Sequence, residues 1–287
     1  MALRPNPTLR QRRIGTELRR MREQAGLGGS ELARRLGIQP AQITQMESGK
    51  GGISVERLRT IAAACMCGNQ PLIDALAELT TERTKGWWEE FRGSIASDVL
   101  DLAEFEHSAA RITAYTITFV PGLLQTDAYA ASVFARAIPP LPHHEVDVRM
   151  KFRMKRQQVI RPGGVPYRAF IHEAALRMQF SGPKVLADQL DSLIRHSETP
   201  EVSIRAVPFD IESLPGPSEN LNYAEGAVPE LDSAQIDTTH SSLILDSPAP
   251  LANYREMLAR MASVALSEEE SREFIRQIKK EIEIKYE

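Results

Sequence analysis

Apolar residues recur along this chain first at helical spacing and later at strand spacing, and the change of period divides it. Ile14, Leu18, Met21 and Ala25 stand four, three and four apart, which marks one buried helix face, and Gly26 follows where glycine commonly ends a helix. Short helices are expected over 30–36 and 40–48, the second opening on Pro40, whose missing N–H is not needed in a first turn. After the connector Gly49-Lys50-Gly51-Gly52, Ser54 caps a fourth helix with the stripe Val55, Leu58, Ile61, Ala62 and Cys65, and a fifth covers about 71–80. Farther on the pattern mixes. RITAYTITFV (111–120) alternates, with Tyr115, Ile117 and Phe119 on one face, and reads as a strand, as do 165–171, 202–209 and stretches near 220–225, 233–239 and 241–246. Helices are expected over 126–137, 143–160, 173–180 and 183–196. Two more close the chain, the last introduced by a Ser267–Glu270 capping box and burying Phe274, Ile275, Ile278 and Ile282. The expected architecture is multidomain: a disordered basic arm (1–13), an all-α five-helix domain (14–81), a helical connector (82–103) and an α+β, mixed domain (104–287).

Within the helical part, GSELARRLGIQPAQITQMES (29–48) has the spacing of a helix-turn-helix. A small residue, Ala33, is required where two helices cross closest, and Gly37 has no Cβ to resist the positive φ of a tight corner. Ile43 and Met46 lie three apart and seal the second helix onto the first, with Leu32, Leu36 and Ile38 completing the apolar set. Ala41, Gln42, Thr44 and Gln45 are left facing outward, and most of these can hydrogen-bond to base edges.

Charge supports that reading. The net charge of −3 over 287 residues hides an asymmetry: residues 1–60 carry twelve Arg or Lys against five Glu, so the rest is acidic. A basic head on an acidic body suits a protein whose head alone meets phosphates. At 42% hydrophobic and 25% charged, the composition is that of a globular chain able to bury a core. No apolar run approaches the ~18 residues of a membrane span, and MALRPNPTLRQRR has no apolar segment of a secretory signal behind it. The two cysteines, Cys65 and Cys67, diverge by about 200° on a helix and complete no metal motif, so filler in a reducing cytoplasm is expected. Neither a metal nor a cofactor is expected.

Residues 13–66 resemble the Xre/Cro/C1-type helix-turn-helix, chiefly through LGIQPAQITQMESGK (36–50). Residues 104–284 resemble the domain that follows such motifs in actinobacterial regulators of the WhiJ-like group, through VPGLLQTDAYA (120–130), RMKRQ (153–157), HEAALRMQFSGPKVLADQL (172–190), VSIRAVPF (202–209) and ALSEEES (265–271). The resemblance implies a transcriptional regulator, a repressor or developmental regulator, often paired with a small partner protein in an antitoxin-like arrangement. It places the helix over 40–48 in the major groove. Gln42 and Gln45 would then contact adenines, Gln39 and Thr44 bases or phosphates, and Arg22, Arg34, Arg35 and Lys50 phosphates. The group usually has Ser/Thr-Gln where this chain has Gly28-Gly29, which leaves Ser30 as the expected cap and opens the glycine N–H groups to phosphate.

Reading one half-site calls for a dimer on double-stranded DNA. The second domain is expected to bind a small co-encoded protein or a small-molecule effector, with Tyr115, Phe119, His172 and Tyr223 as a candidate pocket. A chain whose main role is to bind that co-encoded partner is the alternative. An enzyme is the remote one: G-x-S-x-G, P-loop and H-E-x-x-H signatures are missing, His143-His144-Glu145 reads as a surface cluster, and Glu173 after His172 reads as a helix-dipole partner.

Overall fold

The computed structural model describes residues 6–81, 86–216, 219–237 and 242–286. The expectations for 1–5, 82–85, 217–218, 238–241 and 287 lie outside them. The chain forms two compact units, one of Met1–Glu89 with Ala227–Leu231, the other of Glu90–Gly226 with Asp232–Glu287. The boundary expected at 104 falls inside a helix of the second unit.

The first unit is five helices: α1 (Leu9–Gln24), α2 (Gly29–Arg35), α3 (Pro40–Glu47), α4 (Val55–Ala64) and α5 (Gln70–Thr81). The disordered arm drawn over 1–13 requires correction, because α1 begins within it. Thr8 Oγ1 accepts from Gln11 N at 3.4 Å while Gln11 Oε1 accepts from Thr8 N at 3.1 Å, a capping box that satisfies two otherwise orphaned donors. Ser54 caps α4 as its sequence suggests, its Oγ accepting from Arg57 N. Ile14, Leu18, Met21, Leu32, Ile43, Leu58, Ile61 and Leu76 form one core, joined by Val228 and Leu231 of the 227–231 segment. Cys65 is buried in that core one residue past the end of α4.

A 3-10 turn, Trp87–Phe91, runs across the boundary between the units, and the second continues as α6 (Ser97–His107), β1 (Arg111–Thr116), α7 (Asp127–Phe134), α8 (His143–Arg156), β2 (Tyr167–His172), α9 (Glu173–Arg177), α10 (Pro183–His196), β3 (Val202–Val207), β4 (Leu221–Glu225), β5 (Ser233–Asp237), β6 (Ser242–Leu245), α11 (Pro248–Val264) and α12 (Glu268–Tyr286). The six strands make one sheet, ordered β3-β2-β1-β4-β5-β6. β1, β2 and β3 are parallel, and β4, β5 and β6 continue antiparallel. The expected order of an all-α head followed by a mixed α/β domain holds. β1 is shorter than its alternation suggests, stopping at Thr116, after which Ile117 N donates to the side chain of Asn220 instead of a neighbouring strand. It is also buried on both faces, since Thr113 and Thr116 are enclosed along with Ile112 and Tyr115.

One sheet face carries Ile112, Ala169, Ile171 and Ile204 against Leu186, Leu190 and Leu193 of α10 and Ile275, Ile278 and Ile282 of α12. The other carries Tyr115, Phe170, Val207 and Tyr223 against Leu251 and Met261 of α11. Ser267 and Glu270 form the expected capping box at the start of α12. Among the described residues no helix is long and apolar enough to cross a membrane.

Candidate nucleic-acid interface

The corner between α2 and α3 is built as its residues require. Ala33 is 1% exposed at the crossing, and Gly37 takes φ +65°, the left-handed region that a Cβ disfavours. Ile38 N donates to Ala33 O at 3.0 Å and closes the turn. Ile43 and Met46 are buried beneath α3, whereas Gln39, Ala41, Gln42, Thr44 and Lys50 are exposed and Gln45 is half-buried. The predicted reading face therefore stands clear of the first unit's core. Gln42 also acts locally, because its Oε1 accepts from Gln39 N at 3.1 Å and so caps the helix. A bidentate adenine contact uses both ends of the amide, so Gln42 reads a base that way only by sharing Oε1 with the cap or releasing it.

One expected phosphate contact and one expected cap change meaning. Arg22 is no clamp: its Nε and Nη2 hold both carboxylate oxygens of Glu47 at 2.6 and 2.8 Å, and its Nη1 donates to Leu27 O at 2.9 Å. Hydrogen bonding to the Glu47 carboxylate outweighs burial and pushes the guanidinium pKa above its ordinary value. The pair fastens the end of α3 to α1. Ser30 does not cap α2. Gly28 is the N-cap, without a side-chain bond, and Ser30 lies within the first turn, because the chain bends into the helix earlier than a serine cap would need. Arg34 and Arg35 share Glu31 on the outer face of α2, through bonds of 2.5 and 3.1 Å. Both pairings are in high dielectric, so a phosphate can replace the carboxylate at small cost.

In the second unit, Tyr115, Phe119, His172 and Tyr223 do not line one pocket. Tyr115 and Tyr223 are core residues of the α11 face, Phe119 lies beyond the strand against Phe180 at 5.0 Å, and His172 stacks edge-on to Phe209 at 5.3 Å. Alternation carries the face past Thr116, where the strand in fact ends. His172 Nδ1 accepts from Ala174 N and caps α9, while Glu173 binds Arg177 and Phe209 N, which makes both residues structural. His143, His144 and Glu145 open α8 at the surface, His143 and His144 exposed, and the described residues contain no cluster of three His, Cys, Asp or Glu able to hold a metal.

A different set of residues does converge. The segment after β1, 120–126, has no strand partner and is held by side chains instead. Gln125 Nε2 donates to Val120 O at 2.7 Å, and Gln157 Nε2 donates to Gln125 O at 2.7 Å and Gly122 O at 3.1 Å. Gln189 Oε1 accepts from Thr126 N while its Nε2 donates to Leu124 O. Arg153 Nη1 donates to Gln125 Oε1, and Arg156 grips Glu106 through two bonds of 2.8 and 2.5 Å. PGLLQT, RMKRQ and ADQL, far apart in sequence, are thus one buried polar lattice.

Residues 13–76 match the model of a helix-turn-helix domain, and residues 99–277, more than half of the chain, match that of a domain of unknown function, DUF5753. The chain belongs to the DUF5753 family. No curated protein and no solved structure matches it. The DUF5753 region runs from α6 into α12 and contains the whole sheet and the whole polar lattice, and the helix-turn-helix region contains α2, α3 and the outward-facing glutamines. The helix-turn-helix makes this DUF5753 chain a DNA-binding protein of the regulator kind.

Proposed function

We propose that the chain is a sequence-specific transcription regulator of the Xre type, not an enzyme, that reads the major groove with α3 and is controlled through its DUF5753 domain. It acts as a repressor and binds operator DNA as a homodimer. The observation that carries this reading is the outward row Ala41, Gln42, Thr44 and Gln45 on a helix whose opposite side is buried by Ile43 and Met46. Such a row meets base edges when the helix N-terminus enters the groove, and each good bidentate glutamine pair discriminates by about 1–3 kcal/mol. Arg34, Arg35 and Lys50 supply the sequence-independent attraction around it.

The test begins by selecting an operator from random duplexes with the full chain. Gln42→Ala and Gln45→Ala should then lose about ten-fold or more in preference for that operator while keeping their affinity for unrelated DNA. If both variants retained the full preference, α3 would not be the reading helix.

A further inference from the structure

α8 carries Arg149, Arg153 and Arg156 at successive helical turns, and they border a cavity of about 160 Å³ that α6 and α7 close with apolar groups including Val99 and Phe134. The three guanidiniums are not equivalent. Arg156 is fully matched by Glu106, and Arg149 reaches Glu145 by one 3.5 Å contact with both side chains partly exposed. Arg153 has no ion pair among the described residues. Its Nη1 rests on the neutral Gln125 amide, its guanidinium lies 4.4 Å from the centre of the Phe134 ring, and its buried Nε has no hydrogen-bond partner among the described residues. Asp237, at the end of β5, and Glu106 attract Arg153 from beyond ion-pair distance.

A half-buried cation lacking a direct counter-charge is costly, and the lattice around Gln125 holds it at the cavity wall instead of letting it swing to solvent. Burial, with Arg156 adding repulsion, lowers the Arg153 pKa to about 10. We infer that this cavity is an effector site for a small organic monoanion, a carboxylate on a compact apolar body, with Arg153 facing the carboxylate and Val99, Phe134 and Phe152 enclosing the body. Three observations select that chemistry. Arg153 is the one guanidinium of the three without an ion-pair partner among the described residues, which favours a single negative charge over a phosphate dianion. The lining beside it is aliphatic and aromatic. A volume near that of cavities known to hold benzene limits the body to roughly one ring. The site stands on its own geometry, and only its regulatory consequence rests on the DNA-binding reading above.

The experiment is calorimetric titration of the full chain, without DNA, using benzoate and hexanoate, with benzamide and phenyl phosphate as controls. Saturable binding of at least one carboxylate at one site per chain is expected, ten-fold or more tighter than benzamide and phenyl phosphate. Arg153→Gln should weaken it at least ten-fold. Because that change also touches Gln125, Val99→Phe provides the second variant: it fills the cavity, leaves all three arginines in place and should abolish binding. Overturning results are no saturable binding of either carboxylate, benzamide or phenyl phosphate binding as well as the carboxylates, or unchanged affinity in a folded Val99→Phe chain. None of these outcomes bears on operator selection by Gln42 and Gln45, so the two readings fail separately.

Discussion

Gly15 sits in the middle of α1, where glycine costs helix stability, and the reason lies on the neighbouring helix. A Cβ at this position would fall 2.4 Å from Glu47 O, the last carbonyl of α3. Gly15→Ala should therefore destabilise the first unit by about 1–3 kcal/mol despite alanine's better helix propensity, a loss readable in urea unfolding. Arg22, on the same helix, secures that approach by pairing with Glu47, each side chain 12% exposed. Arg22→Ala should cost about 2 kcal/mol, less than the ~3–5 of a fully buried pair, and leave the salt dependence of binding to nonspecific DNA unchanged. Lys50→Ala should do the reverse, leaving stability intact and lowering the log–log salt slope by about 1. Sequence could not separate these two cations, because the Arg22–Glu47 pair spans 25 positions and exists only once α1 and α3 have packed.

At the scale of elements, α9 shows how much a short helix depends on its cap. Burial holds His172 below the ordinary imidazole pKa, against a weaker pull from Glu173, and its neutral Nδ1 accepts from Ala174 N. His196, at the end of α10, is lowered likewise by burial and by Arg195. The unfolded chain thus binds these protons first, so stability is full above the usual imidazole range near pH 6.5 and falls as the pH drops through it. His172→Asn keeps an acceptor for the cap and removes one titration. It should flatten the fall in melting temperature between about pH 7.5 and 5.5 without greatly changing its value near pH 8. Many elements were legible from periodicity. The apolar stripe of α10 located both of its ends, and Ser54 and Ser267 announced theirs. The 143–160 helix proved to be α8 followed by a 3-10 turn over Gln157–Ile160, because Gln157 turns its side chain to the 120–126 backbone. That demand is tertiary and leaves no trace in the local pattern. The candidate pocket failed for a related reason, since face assignments by alternation are only as good as the strand end they assume.

At the scale of the molecule, the division of charge is legible from residue counts alone, and it makes a quantitative claim about association. A basic head with an acidic remainder should bind nonspecific duplex with a strongly negative salt slope, about −0.9 for each phosphate neutralised. A dimer on an operator should double that slope relative to a single half-site, with the two half-sites about one helical turn apart. Light scattering at micromolar concentration should give twice the 32.0 kDa chain mass. A strictly monomeric mass, with protection of one half-site only, would remove the dimer from the proposal while leaving α3 as the reader.

The lattice joining Gln125, Arg153, Gln157 and Gln189 also has a hereditary consequence. Gln125 and Gln189 each donate and accept, and Arg153 and Gln157 donate into the same segment, so replacing one member leaves a buried partner unmatched. Single changes there should be purged, and tolerated changes should arrive in compensating sets. Across divergent descendants of this chain, those four positions should drift together or stay still, while the outward glutamines of α3 change freely with the operators they follow.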